Sequence, residues 1–316
     1  MKDYILLMRP YQWSKNLFIF APAFFGFSEF DMAESFALLG SFVAFCLLAS
    51  SIYVVNDIVD VKADRTHPTK RLRPIARGAI TMPKARIFAT ILALFSVIML
   101  LLIALGKYQM GGGIYDLNPQ NLNWQNLADF ALFFLSFAFP FLFYVILNLA
   151  YSFALKHIAI LDIFIIASGF VIRLFVGSNA TNIPLSHWII ITTFLLALFL
   201  ALAKRRDEVM LDSSTSPKYA SYNRTFLDIA MSISASLVMV AYIFYSIDLG
   251  VNSRFGTHNL YLTSVFVLLG IFRYMQLTFV KNDSGDPARI LLKDRFLQCT
   301  ILAWFVSFVA IVVIKL

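Results

Sequence analysis

Charge is scarce in this chain of 316 residues: Asp, Glu, Lys and Arg together make up 14%, roughly half the share usual in soluble domains. Cysteine is scarcer still. Cys46 and Cys299 both lie in apolar runs, which excludes a disulfide framework and a cysteine-based zinc site. No zincin, nucleophile-elbow or Walker pattern occurs, so the chemistries those motifs carry are excluded too. The run Leu17 to Phe20 is too short for a signal-peptide core, although Ala21-Pro22-Ala23 imitates a cleavage site. The N-terminus is expected to be retained.

What the chain does have is apolar bulk. Residues AVILMFWYC make up 60% before glycine is counted, against roughly 45–50% with glycine in soluble domains. Phenylalanine alone occurs 33 times and mean hydropathy is +0.77. The composition is that of an integral membrane protein. A helical span takes about 20 residues, so nine would use about 180 and leave enough chain only for caps and loops. We therefore expect one integral-membrane domain over residues 1–316.

Nine apolar runs can be placed between charged and Gly/Asn/Pro-rich interruptions. They are Leu17 to Phe30, Ala33 to Val55, Ala85 to Leu105, Phe130 to Leu149, Ile158 to Val176, Trp188 to Ala203, Phe226 to Ile247, Leu260 to Phe279 and Phe296 to Ile314. With the N-terminus inside, 21 of the 26 Lys and Arg fall on the inner side, and only Lys107, Arg254 and Lys315 fall outside. That asymmetry predicts a cytoplasmic N-terminus and an external C-terminus in a cell (inner) membrane. The net charge of +8 is then mostly topological and no argument for nucleic acid. The segment from Gly106 to Asp129 reads as an outer loop anchored by Trp124.

Polar chemistry concentrates just after the second run, at Asn56-Asp57-Ile58-Val59-Asp60-Val61-Lys62-Ala63-Asp64. On a continuous helix Asn56, Asp60, Asp64 and Asp57 fall at about 0, 40, 80 and 100°, within one arc. Carboxylates so close repel unless a cation neutralises them, and an oxygen-only set suits Mg2+. Their repulsion also predicts that Asn in place of any one aspartate leaves the fold intact. A solvated helix end is the alternative. Next comes His67-Pro68-Thr69-Lys70-Arg71-Leu72-Arg73-Pro74-Ile75-Ala76-Arg77-Gly78, whose prolines forbid a continuous helix. It reads as a loop carrying Lys70, Arg71, Arg73 and Arg77 over the acids, so that a Mg2+-bridged diphosphate would use both halves. His67 reads as a loop hydrogen-bonder.

The sixth run ends in Lys204-Arg205-Arg206-Asp207-Glu208, with Asp212 beyond. Positions 204, 205, 208 and 212 repeat the offsets of 56, 57, 60 and 64, which suggests a second half-site of mixed charge if the helix continues. Tyr144, Asn148, Tyr151 and Ser152 share a face near the inner end of the fourth run, with Lys156 just beyond in reach of a phosphate. Asp162 is the membrane-edge acid to watch. Arg173 and Arg273 are intramembrane charges, able either to serve function or to snorkel.

Asn56 to Asp64, followed by His-Pro-x-Lys-Arg-x-Arg-Pro-Ile-Ala-x-Gly, resembles the UbiA superfamily of intramembrane prenyltransferases. Within it the chain is most similar to the decaprenyl-phosphate phosphoribosyltransferase branch. The narrower match rests on Arg9-Pro10-Tyr11-Gln12-Trp13-Ser14-Lys15-Asn16, Tyr151-Ser152-x-x-Leu155-Lys156, Gly169-Phe170-x-x-Arg173, Lys204-Arg205-x-x-Glu208, and Gly285-Asp286-Pro287 ahead of Asp294-Arg295. The resemblance implies an all-α polytopic protein, nine transmembrane helices around a central cavity, with a side opening for a polyprenyl chain. It implies Mg2+ at Asn56, Asp57, Asp60 and Asp64, and catalytic roles for the three aspartates with Lys204, Arg205 and Glu208. Substrate contacts would come from Asn56, Lys70, Arg71, Arg73, Arg77, Lys15, Asn16, Tyr151, Lys156 and Arg173. Where ordinary members carry a second aspartate-rich motif, this chain has Lys204-Arg205-x-x-Glu208.

The expected activity is transfer of a 5-phosphoribosyl group from phosphoribosyl diphosphate to a polyprenyl phosphate. The nucleophile is already an anion, in keeping with the absence of a His-carboxylate pair. Prenyl transfer to an aromatic or quinone-precursor acceptor remains the alternative. A lipid-phosphate transporter is disfavoured, because the polar residues gather at one mouth and not at the midplane. Expected partners are those two substrates and the bilayer, with a homo-oligomer left open.

Overall fold

The computed structural model describes residues 2–26, 31–110, 124–212, 221–281, 290–291 and 293–315. Among them there are helices and turns and no strand. The chain opens with α1 (Lys2–Met8), a 3-10 segment (Pro10–Phe20) and α2 (Ala21–Phe25), then α3 (Met32–Val59) and α4 (Val61–Thr66). Long helices follow as α5 (Met82–Met110), α6 (Trp124–Phe153), α7 (Leu161–Thr181), α8 (His187–Asp212) and α9 (Arg224–Ile247). The short α10 (Leu249–Phe255) leads to α11 (Ser264–Phe279), which continues a 3-10 turn from Leu260, and to α12 (Arg295–Ile314). Among the described residues eight helices are long and apolar enough to cross a bilayer. This is an all-helical, multi-pass membrane protein.

The first expected span, Leu17 to Phe30, is not one continuous helix where it is described. Proline lacks the N–H that an α-helix interior needs. Pro10 opens the 3-10 segment and Pro22 sits in the first turn of α2, where its missing donor costs nothing. Each proline therefore starts a piece. Residues 27–30 of that run lie outside the described residues, as do Gly111 to Gly113 and Gly285-Asp286-Pro287. The α3 start is capped reciprocally: Asp31 accepts from the Glu34 N–H at 2.8 Å, and the Asp31 N–H donates to the Glu34 carboxylate at 3.2 Å.

Two compact units form, one of Met1–Lys156 with Ile172–Pro184 and one of His157–Val171 with Leu185–Leu316. The core of the first gathers Ile19, Leu38, Phe45, Ile52, Leu100, Phe141 and Val176. Here α7 approaches the 3-10 segment so closely that a Cβ on Gly177 would lie 2.0 Å from the Ile19 carbonyl oxygen. The core of the second gathers Phe199, Leu227, Met231 and Tyr274. Within it the fully buried Arg206 donates to Asp228 at 2.5 Å and to the Thr278 carbonyl at 2.9 Å, tying α8 to α9 and α11.

Arg273 does not snorkel free. Its Nη2 donates to Asp294 at 2.7 Å, while Asp294 also caps α12 by accepting from the Leu297 N–H at 2.9 Å. The Arg273 guanidinium and that backbone bond hold the Asp294 carboxyl below the usual carboxylate range. A depressed carboxyl contributes stability in full above its unfolded pKa, and the contribution is lost as pH falls through the folded value. The melting-temperature gap between wild type and Asp294→Asn should thus be widest near neutrality and close below about pH 4. Detergent melts across that range check it, and a gap unchanged at pH 3 would refute the assignment.

Candidate active site

The helical period of the first acidic motif survives a local break. Asp60, at φ −86° and ψ 0°, separates α3 from α4, yet its N–H still donates to the Asn56 carbonyl at 2.9 Å. The Asp64 N–H in turn donates to the Asp60 carbonyl at 2.8 Å. Asp57 and Asp64 are buried, at 2% and 3% exposure. Arg73 Nη1 bridges them, at 3.1 Å from Asp57 and 2.6 Å from Asp64. Arg9 also donates to Asp57, and Lys156 to Asp60. Burial of such charge is tolerable only when it is paired and hydrogen-bonded.

Arg9 reaches its place through an uncommon backbone. It lies in the left-handed region, at φ 54° and ψ 57°, as the link between α1 and the 3-10 segment. A tether secures this turn: Trp13 Nε1 donates to Ser50 Oγ at 3.0 Å, and Ser50 Oγ donates to the Met8 carbonyl at 2.9 Å. The Arg9 guanidinium also lies 5.6 Å from the Tyr53 ring centre. Strain of this kind persists where the surroundings fix it.

Among the bases of the following loop only Arg73 meets the acids. Arg77 pairs with Asp3 of α1, and Lys70 and Arg71 make no ion pair among the described residues. His67 Nδ1 accepts from the Thr69 and Lys70 N–H groups, both at 3.3 Å, as a loop hydrogen-bonder does. Deeper in the same unit, the buried Arg173 donates to Asn16 Oδ1 at 2.9 Å and lies over the Phe45 and Tyr144 rings at 5.0 and 5.2 Å. Asn16 donates onward to Cys46 Sγ at 3.1 Å. Lys15 and Tyr151 are half-buried.

In the second unit α8 does continue through the Lys204 motif. Arg205 is 4% exposed and donates to Asp162 and to Glu208, both at 2.5 Å. Lys204 points to the exposed side and makes no ion pair among the described residues. Adjacent helical positions are about 100° apart, which is why one faces in and its neighbour out. Glu208 uses Oε2 on Arg205 and remains 29% exposed.

Among the described residues no three His, Cys, Asp or Glu side chains are gathered so as to hold a metal ion. The donor chemistry nevertheless fits Mg2+. Asn56 Oδ1 is buried without a hydrogen-bond partner, an unused oxygen acceptor in the same motif as Asp57, Asp60 and Asp64.

Residues 17–109 match the UbiA prenyltransferase family. Over 314 residues the chain is 34% identical to a decaprenyl-phosphate phosphoribosyltransferase from Mycolicibacterium smegmatis, covering 95% of this chain and 89% of that one. The chain belongs to the UbiA prenyltransferase family. A decaprenyl-phosphate phosphoribosyltransferase from Mycobacterium tuberculosis is 32% identical over 311 residues, covering 95% of this chain and 91% of the relative. A UbiA homolog from Archaeoglobus fulgidus, solved bound to GPP and Mg2+, has the same fold at TM-score 0.65 and 15% identity, covering 97% of this chain and 99% of its own. Beyond Arg73 of the loop, Arg9 and Lys156 pair with the acidic motif from elsewhere in the chain. The acid-rich motif does not point to Arg9, but the Arg-Pro pair before the first apolar run does, as a charged turn at a membrane edge.

Proposed function

We propose that this UbiA-family protein transfers a 5-phosphoribosyl group from phosphoribosyl diphosphate to a polyprenyl phosphate at the cytoplasmic membrane face, releasing diphosphate. The observation that carries the reading is the 34% identity over 95% of the chain with a decaprenyl-phosphate phosphoribosyltransferase. The geometry of the first unit supports it: three carboxylates interleaved with Arg9, Arg73 and Lys156. Asn56, Asp57, Asp60 and Asp64 would hold Mg2+, which when bound neutralises charge on the diphosphate.

The chain's own groups do the rest. Lys70 and Arg71, without ion pairs among the described residues, are available to the donor's diphosphate, and Arg9 and Arg73 can turn from the carboxylates to its oxygens. A phosphate oxygen of the lipid attacks ribose C1 while the bond from C1 to diphosphate breaks and its electron pair leaves with the diphosphate. The attacking oxygen carries no proton, so no general base is required. Lys204 is the exposed cation for a second phosphate, and Glu208 Oε1 can accept from ribose hydroxyls.

The test is diphosphate release by protein reconstituted in sealed vesicles with Mg2+. Phosphoribosyl diphosphate plus polyprenyl phosphate should support turnover, and only where the donor is added on the side bearing the Asn56 to Gly78 segment. Turnover restricted to a prenyl diphosphate with an aromatic acceptor would overturn the proposal.

A further inference from the structure

Ile160, immediately before α7, has φ 69°, a left-handed backbone that a β-branched side chain disfavours. Its N–H donates to Tyr222 Oη at 2.5 Å. The Tyr222 hydroxyl donates to Asp162 Oδ1 at 2.7 Å, and Asp162 Oδ2 accepts from Arg205 Nη2 at 2.5 Å. Arg205 Nη1 then donates to Glu208 Oε2 at 2.5 Å. All five residues belong to the second unit.

This chain of bonds has a direction. Both Asp162 oxygens are engaged, and the residue is 1% exposed. Tyr222 is 6% exposed, and burial together with the Asp162 carboxylate pushes its phenol well above the ordinary range, so it stays a donor. Arg205 is held between two carboxylates and is 4% exposed. Of the four side chains linked by these bonds, Glu208 is the one that is not buried, at 29% exposure, with Oε1 left for another donor. A planar guanidinium gripped at both ends fixes the orientation of what it holds. We infer that Tyr222 and Asp162 are positioning residues that act through Arg205 to aim Glu208 at the ribose hydroxyls of the donor. The inference rests on the phosphoribosyl reading above and extends it to two residues outside the motifs.

Steady-state kinetics with phosphoribosyl diphosphate and polyprenyl phosphate test it, on wild type, Tyr222→Phe, Glu208→Ala and the double variant. Tyr222→Phe should raise KM for phosphoribosyl diphosphate roughly 3–10-fold, with kcat and the KM for the lipid within about twofold. The double variant should be no worse than Glu208→Ala alone, because residues that act through one another are not additive. Asp162→Asn takes the place of Tyr222→Phe should the latter not survive purification. An unchanged donor KM, or additive losses in the double variant, overturns the inference while wild-type turnover keeps the donor reading. A wild type inert toward phosphoribosyl diphosphate overturns both.

Discussion

Arg73→Ala should lose turnover by roughly 10²–10³-fold and melt earlier in detergent, the two effects having separate origins. Arg73 Nη1 bridges Asp57 and Asp64, whose side chains are 2% and 4% exposed. Without it Asp64 loses its ion-pair partner, and Asp57 keeps only Arg9. Removing one partner of a buried pair destabilises by about 3–5 kcal/mol, and the 25% exposure of Arg73 puts this case at about 2–3 kcal/mol. In the proposed phosphoribosyl transfer the rate loss would reflect a missing charged donor for the departing diphosphate, the size typical of one such group. Arg73→Lys should recover part of the stability but little of the rate, since an ammonium cannot span both acids as a guanidinium does. Near-normal turnover in Arg73→Ala would remove the loop from the site. Asp57→Asn should be destabilising as well, because it sets Arg9 and Arg73 against a neutral amide. Repulsion among the acids, read alone, gives the opposite sign.

That reversal marks the boundary of what the residues disclose in order. The spacing of Asn56, Asp60 and Asp64 is legible because hydrogen bonding from each residue to the fourth before it runs through Asp60 despite the break. Which bases meet the acids is not legible. Lys70, Arg71 and Arg77 lie nearby in sequence, yet Arg9 comes from 48 residues upstream of Asp57 and Lys156 from 96 residues beyond Asp60. Likewise α8 is apolar nearly all round, so nothing in its pattern tells whether Lys204 or Arg205 faces inward. Asp162 stands out as an acid at a span edge, whereas Tyr222 stands in a polar connection with no periodicity to single it out. Eight of the nine apolar runs are helices long enough to span. The remaining one changes from 3-10 to α-helix next to Pro22, whose effect depends on its place in the first turn of α2.

Gly177→Ala should be the most disruptive small substitution in the first unit, lowering activity as well as stability. Its added Cβ would lie 2.0 Å from the Ile19 carbonyl oxygen and 3.1 Å from Pro22 Cδ. A backbone carbonyl cannot rotate away as a side-chain tip can, so α7 or the 3-10 segment must move. Overpacking of this kind typically costs about 1–3 kcal/mol. The same segment carries Asn16, which holds the Arg173 guanidinium of α7, so a shift there separates that pair and, through the turn at Arg9, disturbs Asp57. Two other glycines calibrate the effect. At Gly40 a Cβ would meet only the tip of the Ile103 side chain, at 2.8 Å, which can change rotamer, so Gly40→Ala should cost less. At Gly106 nothing lies within 4 Å, and alanine in a helix is favoured over glycine by about 0.5–1 kcal/mol. Melting temperatures in one detergent should therefore rank Gly106→Ala at or above wild type, then Gly40→Ala, then Gly177→Ala. Loss of turnover should accompany only the last. A Gly177→Ala protein that melts and turns over like wild type would show that the contact between α7 and the 3-10 segment does not hold the site in place.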